Sequence, residues 1–146
     1  MSLLKGLNVT QIALVVDDID QYLAEYAKVF GIETPSHIVT DGQDKTGASY
    51  RGNNTEARAK LGFIHLPNIT IELIEPIGEP SVWKDHLDKH GPSVHHIAFD
   101  VADKAAVTDD LGMENVQQGE FTGGSYAYLD AFSKIGVDIE LLQMDS

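Results

Sequence analysis

Two stretches of this chain repeat one another. Val9-Thr10-Gln11-Ile12-Ala13-Leu14-Val15-Val16-Asp17-Asp18 lies over Val94-His95-His96-Ile97-Ala98-Phe99-Asp100-Val101-Ala102-Asp103, with Val, Ile, Ala, Val and Asp recurring in place. A second pair, Ile71-Glu72-Leu73-Ile74 and Ile139-Glu140-Leu141-Leu142, follows at a shorter offset because the second half has a shorter middle. Such self-similarity means two copies of one supersecondary unit, whose apolar faces are buried by stacking on one another. Each copy opens on a β-branched strand, passes through a helix, and closes on a strand with a glutamate at its centre. With 146 residues the chain is one domain, large enough to bury roughly 68–70% of its unfolded surface. The reading is therefore a single domain over 1–146, with modules at about 7–77 and 93–144 joined by a linker, 78–92.

The first helix is well signalled. Asp17 or Asp18 is its N-cap, Ile19, Tyr22, Leu23, Tyr26, Val29 and Phe30 follow at three-and-four spacing, and Gly31 stops it. Its counterpart is predicted over about Asp103 to Leu111, and a short helix in the linker over about Val82 to Lys89. Strands are predicted near Ser36 to Val39, Ala59 to His65, Ile69 to Ile74, Ser125 to Leu129 and Val137 to Leu142. The polar segment 41–58, with Asn53-Asn54 and two glycines, reads as a mobile loop.

Side chains two apart in a strand share a face. Gln11 and His96 are thus equivalent positions in the two modules, and so are Glu72 and Glu140. A carboxylate in the middle of an apolar strand is costly unless it is paired, hydrogen-bonded or on a metal, and two at matching positions point to a shared purpose. The absence of cysteine excludes disulfides, thiolate catalysis and zinc–thiolate or iron–sulfur sites. Two carboxylates, an imidazole and an amide oxygen suit one divalent ion: Mg, Mn, Co, Ni or Zn. Parity sends His95 to the core face, and His86 and His90, at helical spacing, to a solvated one; His37 and His65 read as structural. Gly123-Gly124 is a turn signal.

A formal net charge of −13 opposes contact with phosphate backbones and anionic bilayers, so neither nucleic acid nor membrane is expected as a partner. The opening segment lacks the apolar core of a signal peptide, and no run approaches the ~20 apolar residues that span a bilayer, which implies a cytoplasmic protein.

The stretches Gln11 to Asp18, Asn68 to Pro76, Val94 to Val101 and Gly136 to Leu142 resemble the vicinal oxygen chelate (glyoxalase/bleomycin resistance) superfamily, over nearly the whole chain from Val9 to Gln143. Its methylmalonyl-CoA epimerase branch is the most similar, its lactoylglutathione lyase (glyoxalase I) branch the next. The resemblance implies an α+β fold of two tandem βαβββ modules forming a curved mixed sheet around a metal site. It also implies a homodimer, and metal ligands at Gln11, Glu72, His96 and Glu140. The activity implied is epimerisation or isomerisation by proton abstraction next to the carbonyl of a thioester or thiol conjugate, through an enediolate, with Glu140 as catalytic base. Two departures stand out. Epimerases carry His where this chain has Gln11, and some bacterial ones place a second glutamate base where this chain has Leu61. Glyoxalase I grips glutathione with several arginines, whereas the basic candidates here, Arg51, Arg58, Lys60 and Lys134, are scattered, Lys134 lying where related proteins carry a lysine near the substrate. A binding protein without chemistry is the reading from another class, and the intact quartet counts against it.

Overall fold

In the computed structural model, which describes residues 2–146, the first repeat opens with β1 (Val9–Val15) and runs into α1 (Ile19–Phe30). Asp18 is the N-cap: its carboxylate accepts the Gln21 N–H at 3.3 Å. Gly31, at φ 70°, ends the helix in the left-handed region that only glycine adopts freely. Of the apolar positions read from the sequence, Ile19 and Leu23 are buried and Tyr22 and Tyr26 half-buried. Val29 and Phe30 are exposed, and Ala27 is the buried residue of the last turn instead.

β2 (Ile38–Val39), a single turn of helix α2 (Gln43–Thr46), β3 (Ser49–Tyr50) and β4 (Asn53–Asn54) precede the long hairpin of β5 (Arg58–His65) and β6 (Thr70–Ile77). The linker carries α3 (Val82–His90), capped by Ser81, whose hydroxyl accepts the Lys84 N–H. The second repeat follows as β7 (Ser93–Asp100), α4 (Lys104–Leu111), β8 (Asn115–Phe121), β9 (Gly124–Leu129), a turn of helix α5 (Phe132–Ile135) and β10 (Asp138–Met144). Asp103 caps α4 through the Ala106 N–H, the counterpart of Asp18 in α1.

All ten strands form one sheet in the order β2-β5-β6-β1-β7-β10-β9-β8-β3-β4. The order states the repeat: β6 is parallel to β1 in one module, β10 is parallel to β7 in the other, and the modules join where β1 and β7 run antiparallel. The α+β reading with a curved mixed sheet is the observed fold. On one face α1 covers Val16, Leu73 and Ile64, and α4 and its neighbours cover Leu129, Ile139 and Leu141. On the other, concave face lie Ala13, Val15, Ile74, Trp83 and Tyr128, with α3 packed over them.

Segment 41–58 departs from the expected loop. Tyr50 and Ser49 pair with Gln117 and Gln118 of β8, and Ala48, Thr55 and Ala57 are buried. β8 itself, Asn115–Phe121, was not foreseen, since Gln117, Gln118 and Gly119 give it no apolar alternation. The first module thus sends β3 across to the outer edge of the second, and residues 40–48 bridge the concave side.

Leu23, fully buried under α1 and against Gly62, is the main packing residue of that helix. Leu23→Ala is expected to cost about 2–5 kcal/mol, read as a lower urea midpoint with an unchanged denaturant slope.

Candidate metal centre

The sheet register brings the sequence-derived quartet together around two alanines. Ala13 of β1 stands between Glu72 on its parallel neighbour and His96 on its antiparallel one. Ala98 of β7 stands between Gln11 and Glu140 in the same way. Both alanines are fully buried, and a methyl group is small enough to let the longer side chains on either side lean over it. Gln11, Glu72 and Glu140 line a concave cavity of about 430 Å³, while His96 is closed off completely beneath them.

Glu72, His96 and Glu140 each bring a ligand atom within 4.8 Å of the others. His96 Nε2 lies 3.3 Å from Glu140 Oε1 and 3.5 Å from Glu72 Oε1. These are charge-pair distances without hydrogen-bond alignment. Among the described residues, the buried side-chain atoms that lack a hydrogen-bond partner are Glu72 Oε1 and His96 Nε2. Orphaned buried polar atoms are rare because each costs about 1–3 kcal/mol, and two facing one another across a carboxylate-lined pocket fit a shared cation. Burial alone would depress the His96 imidazole, but Glu140 and Glu72 outweigh it and bring it up to about 9. Burial pushes the Glu72 carboxyl up, with the Glu140 charge adding to it and His96 opposing.

The β1–β7 pairing holds two bulges. The register slips between Val9 and Gln11, leaving Thr10 unpaired, and between the partners of Ala13 and Leu14, leaving His95 unpaired. The two extra residues are equivalent in the repeat, and each immediately precedes a member of the quartet. A bulge breaks strict alternation and re-aims side chains. Thus His95 is buried, as the sequence indicates, but parity misplaces its direction: its ring packs on His96 and Tyr128, with His95 Nδ1 2.8 Å from His96 Nδ1. Behind it, His95 Nε2 lies 3.5 Å from Asp138 Oδ2, and Asp138 Oδ1 accepts the Ala131 and Phe132 N–H groups at 3.1 Å each.

His86 also departs from expectation. It is buried, not solvated, with Nε2 2.8 Å from Ser93 Oγ and its ring against His90, His95 and Phe132; His90 is exposed as foreseen. The helix α3 turns that face onto β7 because Val82, Trp83 and His86 form its inner stripe. Trp83 Nε1 donates to the Tyr128 hydroxyl at 3.0 Å, and Gln117 reaches both the Val82 N–H and Tyr126. His37 pairs with Asp20, and His65 meets Thr70, both away from the quartet. The basic candidates do not enter the cavity: Arg51 faces Glu114, Lys60 faces Glu75, and neither they nor Arg58 or Lys134 is among its lining residues. Leu61, by contrast, lines it beside Phe63.

Residues 10–128 match the family model described as the Glyoxalase/Bleomycin resistance protein/Dioxygenase superfamily. The chain belongs to that superfamily. Within it, the chain is 31% identical over 107 residues to an ethylmalonyl-CoA/methylmalonyl-CoA epimerase of Cereibacter sphaeroides, a match covering 68% of this chain and 65% of that protein. The crystal structure of methylmalonyl-CoA epimerase from Mycobacterium tuberculosis superposes with a TM-score of 0.66 at 24% identity, over 100% of this chain and 92% of that one. A hypothetical protein from Bacillus halodurans C-125 superposes with a TM-score of 0.67 at 22% identity, over 97% of each chain. These superpositions establish the superfamily fold for this sheet.

Burial, with His95 and His90 nearby, lowers the His86 imidazole to about 4 from its ordinary 6.5. The folded state therefore binds fewer protons than the unfolded chain between those values, so His86 stabilises the fold above pH 6.5 and loses that contribution as pH falls towards 4. His86→Gln, which keeps a donor for Ser93 but cannot titrate, is expected to flatten the fall in melting temperature between pH 6.5 and 4 relative to the parent; parallel profiles would contradict it.

Proposed function

We propose that this chain is a metal-dependent enzyme that moves a proton at the carbon next to a carbonyl, an epimerase or isomerase of the methylmalonyl-CoA epimerase kind. Gln11, Glu72, His96 and Glu140 are its ligands and Glu140 its base. The observation that carries the reading is the meeting of Glu72, His96 and Glu140 with two buried atoms unpartnered. The relatives named as epimerases support the reaction class. A divalent ion held there would supply positive charge to a carbonyl oxygen and so make the adjacent C–H more acidic.

The residues of the chain do the rest. Gln11 contributes an uncharged amide oxygen, so the two carboxylates balance a dication and the site is neutral overall. Glu140 takes the proton from carbon and returns it, a role worth typically 10²–10⁴-fold. The apolar walls keep water from the carbanionic carbon. His95 orients His96: a lone pair offered from His96 Nε2 leaves the proton on Nδ1, which donates to His95 Nδ1, and the remaining His95 N–H then faces Asp138. Outer partners of this kind are typically worth 10–100-fold in metal affinity. His95→Phe is expected to weaken cobalt binding, measured by chelator competition, by that factor. His95→Gln, which keeps one acceptor and one donor, is expected to recover most of it at an equal melting temperature.

Leu61 in the cavity favours a second reading, a one-base isomerase of the lactoylglutathione lyase type, whose 1,2-proton shift needs a base on one face only. Proton exchange and inversion at the α-carbon of methylmalonyl-CoA separate the two. Glu140→Gln is expected to lower both by 10²–10⁴-fold with the fold intact. Leu61→Glu is expected to raise the ratio of inversion to exchange. Inversion in the parent as fast as exchange would remove the one-base reading; exchange unaffected in Glu140→Gln would remove Glu140 as the base.

A further inference from the structure

The cavity holds a polar group that the metal centre and Glu140 leave unused. Tyr126 of β9 lines it, on the same face as Tyr128 and two residues along from it. Tyr128 stands opposite Glu140 across the β9–β10 pairing, so Tyr126 lies about 7 Å along the sheet from that pair. The two phenols differ in access. Tyr128 is 2% exposed, with its ring on His96 and its hydroxyl accepting from Trp83 Nε1, whereas Tyr126 is half-buried and open to the cavity.

Its neighbours hold the Tyr126 ring in place. Gly119 faces it across the β8–β9 pairing, and a Cβ there would come within 2.9 Å of Tyr126 Cε1 and Oη. The bare backbone is what lets the ring lie down over β8. Trp83 and Tyr128 flank it, with ring centroids 6.4 and 5.4 Å away. Gln117 then fixes the hydroxyl. Its Oε1 accepts the Val82 N–H at 2.9 Å, and a backbone N–H can only donate, so the amide nitrogen must face Tyr126, where Nε2 lies 3.3 Å from Oη. The phenol oxygen is thereby an acceptor, and its own proton is left to donate. Among the described residues no acceptor takes that proton. Burial keeps it on the oxygen, pushing the phenol up to about 12 against the Gln117 hydrogen bond, with the Glu140 charge adding.

A neutral donor that is positioned before the ligand arrives, in a site shielded from water, stabilises negative charge as it develops on an oxygen. We propose that Tyr126 is a catalytic residue: its hydroxyl donates to the substrate oxygen that becomes the enolate oxyanion when Glu140 removes the adjacent proton. The inference rests on the proton-transfer reading above and deepens it. The C–H electron pair becomes the enolate, the proton rides on Glu140 and returns to carbon, and the phenol keeps its own proton throughout.

Tyr126→Phe removes only the hydroxyl. In cobalt-loaded protein it is expected to lower kcat for proton exchange at the α-carbon of methylmalonyl-CoA by about 10²-fold. KM, cobalt affinity and melting temperature are expected to stay as in the parent, the pattern of a contact made in the transition state. No loss, a loss carried by KM alone, or a loss that follows weaker cobalt binding overturns the inference. Acetohydroxamate, a chelating oxyanion, supplies a measurement free of turnover. Its affinity for the cobalt-loaded protein, taken from calorimetry, is expected to fall about 10-fold in Tyr126→Phe, since a hydrogen bond to a charged acceptor is lost. Should the parent exchange no proton from methylmalonyl-CoA, that substrate reading fails and the hydroxamate comparison decides Tyr126 by itself: weaker binding by the variant supports the oxyanion donor, and equal binding overturns it.

Discussion

The antiparallel seam between β1 and β7 is the constraint on which the rest of this molecule depends. It joins the two repeats edge to edge, and in doing so it sets Ala13 opposite His96 and Ala98 opposite Gln11, with Glu72 and Glu140 on the outer sides of the two alanines. A slip of one residue in either parallel neighbour would turn Glu72 or Glu140 onto the opposite, helix-covered face, where Leu73 and Leu141 now sit fully buried. The apolar rows under α1 and α4 therefore hold the register of the polar groups on the far side. Stability on one face of the sheet fixes the chemistry on the other.

Burial gives Glu72, His96 and Glu140 their properties. His96 and both glutamates would each be an unfavourable buried group alone; together the two carboxylates draw the imidazole up to about 9, while burial first, and then the Glu140 charge, raises the Glu72 carboxyl against the pull of His96. A dication held there would take the place of that mutual compensation, and His96 would have to give up its proton to ligate it. Gln11, which lines the same cavity, would offer an ion there an uncharged oxygen beside the two carboxylates.

Much of this was legible in the sequence. The repeat, the caps at Asp18 and Asp103, the stop at Gly31 and the equivalence of Gln11 with His96 and Glu72 with Glu140 all rest on local chemistry, and local chemistry survives folding. What escaped rests on pairing between distant segments. The bulge at His95 exists because of register with β1, so two-residue alternation sent that ring the wrong way. β8 carries Gln117 and Gln118, polar residues that look like loop until β3 covers the edge and Val82 finds the Gln117 amide. His86 looks solvated by helical spacing and is buried because α3 lies over the concave face instead of standing free.

The most direct test is a crystal structure of the cobalt-loaded protein with data collected at the cobalt absorption edge. One anomalous peak is expected within about 2.0–2.2 Å of Gln11 Oε1, His96 Nε2 and one oxygen each of Glu72 and Glu140. A peak ligated elsewhere, or no peak in stoichiometrically loaded protein, would contradict it.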